Sequence, residues 1–117
     1  MKQILTRQQL LARRCAAISG DRPHSAMEIE AQLPELPGWT CSNDALERGF
    51  AFSDYYDTIA FVNALAWVVH REDHHPELGV SYNRCVVRWN THSVGGISEN
   101  DFVCAAKTDA VFGRGAN

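Results

Sequence analysis

Three of the chain's five histidines fall within six residues, in the stretch HREDHHPEL that runs from His70 to Leu78. Imidazole is the side chain whose ordinary pKa lies nearest neutrality, so such a cluster suits proton transfer in either direction. It also suits metal: HxxxH on a helix can hold zinc, with His92 or Asp73 as a third ligand. A third reading is structural, since histidines at a helix C-terminus stabilise the dipole when charged. Against zinc, the HExxH arrangement is absent, because Glu72 follows His70 by two residues. Against the purely structural reading, three histidines stand ahead of a proline, and a fourth, His92, follows on a separate element. The balance moves toward acid–base work.

The elements that must position these residues can be read from spacing. Thr6 is placed to cap a helix through RQQLLARRCAAIS that stops at Gly20. Ser25 and Glu28 form a capping box for a short helix through Leu33, which PELPG ends. Residues 1–24 read as a peripheral helical extension, with the compact domain spanning residues 25–117. WTCS and ALERGFAF read as strands joined by Asn43 and Asp44. Leu46, Arg48, Phe50 and Phe52 share one strand face, and Gly49 on the other marks a bulge or a close approach.

Ser53 then caps the longest helix, Asp54 to about Asp73, with Ile59, Val62, Leu65, Ala66 and Val69 as its buried stripe. On that helix His70 and His74, four apart, point the same way. Pro76 turns His75 aside. ELGVSY and CVVRWNT read as strands with Asn83 and Arg84 at the turn, and His92 ends the second. Ser98 and Asp101 form another capping box, opening a last helix that stops at Gly113. Paired strands between helices argue for an α+β fold: a four-stranded antiparallel sheet with helices packed on one face, in the order α-β-β-α-β-β-α.

Composition bounds the function. One domain of ordinary apolar content, 45%, is expected from 117 residues. A net charge of −3 gives no electrostatic case for nucleic acid. The longest apolar run, IAFVNALAWVV, is broken by Asn63 and too short for a bilayer, so no membrane association is expected. The N-terminus lacks the pattern of a secretory signal, which suggests a cytoplasmic protein. Cys15, Cys41, Cys85 and Cys104 form no CxxC pair and read as reduced thiols.

The run His70, His74-His75-Pro76, Tyr82, His92 and Asp101 resembles the signature of the pterin-4a-carbinolamine dehydratases. The resemblance extends through LPGW, ALERGFAF, HHPEL, YNRCVVRWNTH, GGISENDF and AAKTD, roughly Leu36 to Val111. It implies a dehydration: removal of water from a 4a-hydroxytetrahydropterin to give a quinonoid dihydropterin, in tetrahydrobiopterin recycling. That reaction needs a proton donor for the departing hydroxyl and a base for the adjacent ring nitrogen. It implies no metal and no cofactor.

Carried over by position, His74, His75 and His92 form the catalytic set. His74 and His92 would transfer protons, and His75 would contact the pterin or serve its other stereoisomer. His70, Pro76, Glu77, Leu78 and Asp101 would contact substrate, with Asp101 acting from the start of the last helix. Two positions depart from the commoner pattern. His70 stands where an acid is usual, and Leu78 replaces a frequent aromatic residue, so an apolar wall remains but stacking is lost.

The resemblance also implies homodimers or homotetramers and, as a protein partner, an aromatic amino acid hydroxylase. A second class of function comes with it. Dehydratase-like proteins of this fold also act as binding modules, including RuBisCO assembly factors of carboxysome-containing bacteria with catalysis lost.

Overall fold

The computed structural model describes residues 2–17 and 22–114. Four antiparallel strands form one sheet in the order β1-β2-β4-β3. They are β1 (Thr40–Ser42), β2 (Ala45–Ala51), β3 (Glu77–Ser81) and β4 (Arg84–Trp89). The helices are α1 (Arg7–Ala12), α2 (Ala26–Gln32), α3 (Tyr55–Glu72) and α4 (Glu99–Gly113). The α+β order from α2 onward is the one expected from the sequence.

Turn chemistry fixes the first hairpin. Asn43 and Asp44 both adopt positive φ, 50° and 61°, which matches the twist of the flanking strands. Gly49 pairs with Val86 in an unbroken register, so there is no bulge. The close approach is real: a Cβ there would collide with the Arg84 guanidinium. The second hairpin turns at Tyr82 and Asn83, one residue earlier than expected.

Alternation along β2 and β4 aims Leu46, Phe50, Cys85, Val87 and Trp89 at one core, against which α3 and α4 pack. Phe61 of α3 joins Phe50, Phe52 and Phe112 in a cluster with ring centroids 4.9–6.1 Å apart. On the open face Arg88 pairs with Glu47 across the sheet and lies 3.7 Å from Glu77. Among the described residues no helix is long and apolar enough to cross a membrane.

Four local expectations are corrected. Asp54, not Ser53, caps α3 by accepting from the Asp57 amide at 2.8 Å. The buried face of α3 carries Thr58, Phe61, Leu65 and Glu72. Leu65 is thus the one fully buried member of the expected stripe, while Val62 and Val69 are half-buried and Ala66 is exposed. Two apolar faces compete on this helix, and the sheet takes the one whose Phe61 completes the aromatic cluster.

The third correction concerns α1. Thr6 caps it, with Gln9 completing a capping box, but it ends at Ala12 and the chain runs extended from Arg13. Tertiary hydrogen bonds outcompete helix there: Glu72 accepts from the Cys15 amide, and Asn100 pairs with both the amide and carbonyl of Ala16. The expected stop at Gly20 lies outside the described residues. The fourth is that β4 ends at Trp89, and His92 opens a 3₁₀ turn, His92–Val94. Thr91 bends the chain by pairing with Gly96 and turning its hydroxyl inward.

Before α2, Leu5 and Leu10 are buried in the core cluster. Arg7 reaches Asp109 of α4, which also accepts from Trp39 at 2.9 Å and Arg48 at 2.7 Å.

Candidate active site

The site begins where α3 stops. Asp73 takes the left-handed conformation, φ 49° and ψ 43°, and closes the helix at Glu72. His74 and His75 therefore follow the helix end in irregular chain, and Pro76 leads into β3. This termination redistributes the histidines. His70 and His74 do not share a face, contrary to the expectation from a longer helix. His70 instead lines a groove of about 310 Å³ with His75, Pro76 and Leu78, floored by Val62, Leu65, Ala66 and Val69. The apolar repeat that the core does not fully use becomes the wall of this groove.

His74 turns the other way. Its ring stacks on Trp89, 13° from parallel with centroids 5.4 Å apart. Trp89 is itself fixed by donating to the Thr108 hydroxyl at 3.1 Å. The Nε2 of His74 donates to Oδ1 of Asp101 at 2.6 Å. His74 is half-buried, and the Asp101 side chain has no exposed surface.

Asp101 is held from three sides. As the third residue of α4 its Oδ2 accepts from the Ser98 amide at 2.8 Å, completing the expected capping box. The same oxygen accepts from the Thr91 hydroxyl at 2.8 Å, and Thr91 shares a further bond with Ser98 at 2.7 Å. A buried carboxylate is tolerated when its lone pairs are satisfied. With Oδ2 occupied by two donors, Oδ1 is left to aim the imidazole. An imidazole that donates through Nε2 presents Nδ1 as a proton acceptor.

Asp101 was expected among the substrate contacts. Its side chain is fully buried, with Oδ1 against His74. His92 is exposed at the head of its 3₁₀ turn, one residue from Thr91, and makes no hydrogen bond with His74 or His75. Glu77 is exposed on β3, and Leu78 is 39% exposed. Tyr82 lies at the tip of the β3–β4 hairpin, at the other end of β3 from His75. Among the described residues no three histidine, cysteine, aspartate or glutamate side chains form a metal-binding group.

Two contributors escaped the sequence reading. Thr91 continues the inward alternation of Cys85, Val87 and Trp89, and a polar residue at the end of such a series is the signal that marks it. Trp89 was read as a strand residue, but nothing in the sequence alone shows the ring that will lie on it.

Residues 22–111 match the model of the pterin 4 alpha carbinolamine dehydratase family. A Stenotrophomonas maltophilia protein named "Putative pterin-4-alpha-carbinolamine dehydratase" is 57% identical over 101 residues, covering 84% of this chain and 87% of its own. A Xanthomonas oryzae pv. oryzae protein of the same name is 62% identical over 85 residues, covering 71% of this chain and 72% of its own.

Two solved structures share the fold. One is a transcriptional coactivator/pterin dehydratase from Brucella melitensis, with a TM-score of 0.73 at 33% identity, covering 77% of this chain and 98% of that one. The other is a pterin dehydratase-like protein identified as a RuBisCO assembly factor in the alpha-carboxysome, with a TM-score of 0.54 at 26% identity, covering 64% and 87%.

Proposed function

The chain belongs to the pterin-4a-carbinolamine dehydratase family, and from that membership we propose that it dehydrates a 4a-hydroxytetrahydropterin to the quinonoid dihydropterin. The observation that carries this reading is the 2.6 Å contact of half-buried His74 with fully buried Asp101. A base oriented by a buried acid is the arrangement that proton abstraction needs.

In this mechanism Nδ1 of His74 takes the proton from the ring nitrogen beside the hydroxylated carbon. The electron pair left on nitrogen forms the carbon–nitrogen double bond, the carbon–oxygen bond breaks, and the hydroxyl leaves as water with a proton from His92. Asp101 is a positioning residue that stabilises the imidazolium. The pterin straddles the His74–His75 junction, its reacting edge at Nδ1 of His74 and its other end over the groove of His70, His75, Pro76 and Leu78, whose apolar floor suits a flat ring. Glu77 stands at the rim. His75 contacts the ring or serves the other stereoisomer. The reaction is redox-neutral and calls on no redox cofactor.

We place the protein in the cytoplasm as a homodimer or homotetramer, supplied with substrate by an aromatic amino acid hydroxylase. The exposed strand β3, with Leu78 and Val80 about 40% exposed, supports self-association, because an unpaired edge invites a partner strand. A binding role without catalysis, as in RuBisCO assembly, is the second reading. It is supported by the likeness to the carboxysome assembly factor. Freshly generated 4a-hydroxytetrahydropterin separates the two: acceleration of quinonoid formation supports the enzyme, and none leaves the binding role.

A further inference from the structure

The extended segment that follows α1 carries a cysteine to a second one. Sγ of Cys15 lies 3.4 Å from Sγ of Cys104, although 89 residues separate them in sequence. Cys104 sits in α4 with no exposed surface. Cys15 is half-buried and lines, with Ala16, Ala17, His74 and Ser93, an open pocket of about 390 Å³.

Hydrogen bonds hold the segment beside this contact. The amide of Cys15 donates to Glu72 at 2.8 Å, the amide of Ala16 donates to Asn100 at 3.1 Å, and Asn100 donates back to the Ala16 carbonyl at 2.8 Å. Arg14 adds an ion pair to Glu72 at 3.1 Å. The backbone is thus aligned on both sides of one sulfur, with the other fixed in a helix.

We propose that Cys15 and Cys104 are a peroxide-responsive dithiol that closes to a disulfide and staples this segment to α4. Cys15 is the residue that a hydroperoxide can reach through the open pocket. Its thiol is oxidised to the sulfenic acid while the peroxide O–O bond breaks and one molecule of water or alcohol leaves. Cys104 then attacks the sulfenic sulfur. The S–S bond forms, the S–O bond breaks, and the hydroxyl departs as water with the Cys104 proton. Two thiols are oxidised and one peroxide is reduced.

The order follows from the surroundings. Contact with Cys15, and then burial, push the Cys104 thiol up, so it is not the sulfur that meets the peroxide, and it passes its proton to the departing hydroxyl as it attacks. Closure brings the sulfurs to about 2.05 Å, a movement for the surface segment and not for α4. The staple joins a residue outside the family match, Cys15, to one inside it, three positions from Asp101.

The test is a peptide map. The reduced full-length protein is treated with hydrogen peroxide, its remaining thiols are alkylated under denaturing conditions, and it is digested without reductant with trypsin and chymotrypsin, whose cut after Trp39 separates Cys15 from Cys41. The expected product joins the peptide of Cys15 to that of Cys104, two hydrogens lighter than their sum, while Cys85 is alkylated. Dithiothreitol releases the two peptides. In Cys104→Ala, dimedone is expected to trap the sulfenic acid on Cys15. If that variant does not fold, the wild-type map still decides. Cys15 recovered as sulfinic or sulfonic acid beside an alkylated Cys104, both thiols unreacted, or Cys15 linked to another chain would each overturn the proposal.

Discussion

Nε2 of His74 and Oδ1 of Asp101 lie 2.6 Å apart, with the carboxylate sealed from solvent and its other oxygen occupied by Thr91 and Ser98. Besides closing the capping box of α4, Asp101 thus holds the imidazole in one orientation. On the proposed mechanism, Asp101→Asn should lower kcat about 10²-fold or more, with little change in KM, because the loss falls on the transition state. Steady-state kinetics with far-ultraviolet circular dichroism as a folding control would check this.

Thr91 should matter through Asp101. Thr91→Val keeps the shape but removes one of the two donors to Oδ2, at a cost of about 1–3 kcal/mol for a buried carboxylate left short of a partner. Thr91→Ser restores the hydroxyl and should recover most of the stability and the activity. Urea unfolding and kcat measured on both variants would check it.

The groove should govern affinity more than chemistry. Leu78 offers an apolar wall beside His75. Replacing it with an aromatic ring gains roughly 0.5–1.5 kcal/mol of stacking. Leu78→Phe should therefore lower KM by about 2- to 12-fold at nearly unchanged kcat, and Leu78→Ala should raise it. Initial rates across substrate concentration separate these effects.

Acid stability should depend on Glu72. Burial disfavours its charged form, but the Cys15 amide, Lys107 and Arg14 prevail and hold the carboxyl below the ordinary value of 4.5. The unfolded chain thus takes up the proton first. The contribution is complete above pH 4.5 and is lost as the pH falls through the lower, folded value. Glu72→Gln should be less stable than wild type at pH 7 and should lose less between pH 5 and pH 3. Urea midpoints over that range give the answer. Glu28, bound by Arg22 and by the Ser25 amide, is also held low and adds its own loss of stability as the pH falls below the ordinary carboxylate value, so the difference between the two proteins is the informative quantity.

Much of this architecture is legible in the sequence because short-range rules govern it. The capping residues Thr6, Ser25 and Ser98, the Asn43–Asp44 turn and the alternation of β2 and β4 act over a few residues, and they fall where their chemistry places them. The misreadings arise where distant residues decide. Helix α1 stops at Ala12 because Glu72 and Asn100 offer the following backbone other partners. The face of α3 that turns inward depends on Phe50, Phe52 and Phe112. The orientation of His74 depends on a left-handed Asp73, and helical spacing from His70 gave the wrong neighbour. Candidate site residues could be named from the sequence, but their division between a groove and a buried acid could not be read there.

The central claim is that this chain removes water from a 4a-hydroxytetrahydropterin by proton transfer at His74 and His92. The most direct measurement is the rate of quinonoid dihydropterin formation, followed by absorbance after 4a-hydroxytetrahydropterin is generated in the presence of the protein. Acceleration well above buffer, abolished in His74→Ala and in His92→Ala while both remain folded, is the expected result. A rate with the wild-type protein equal to that of buffer would contradict the account.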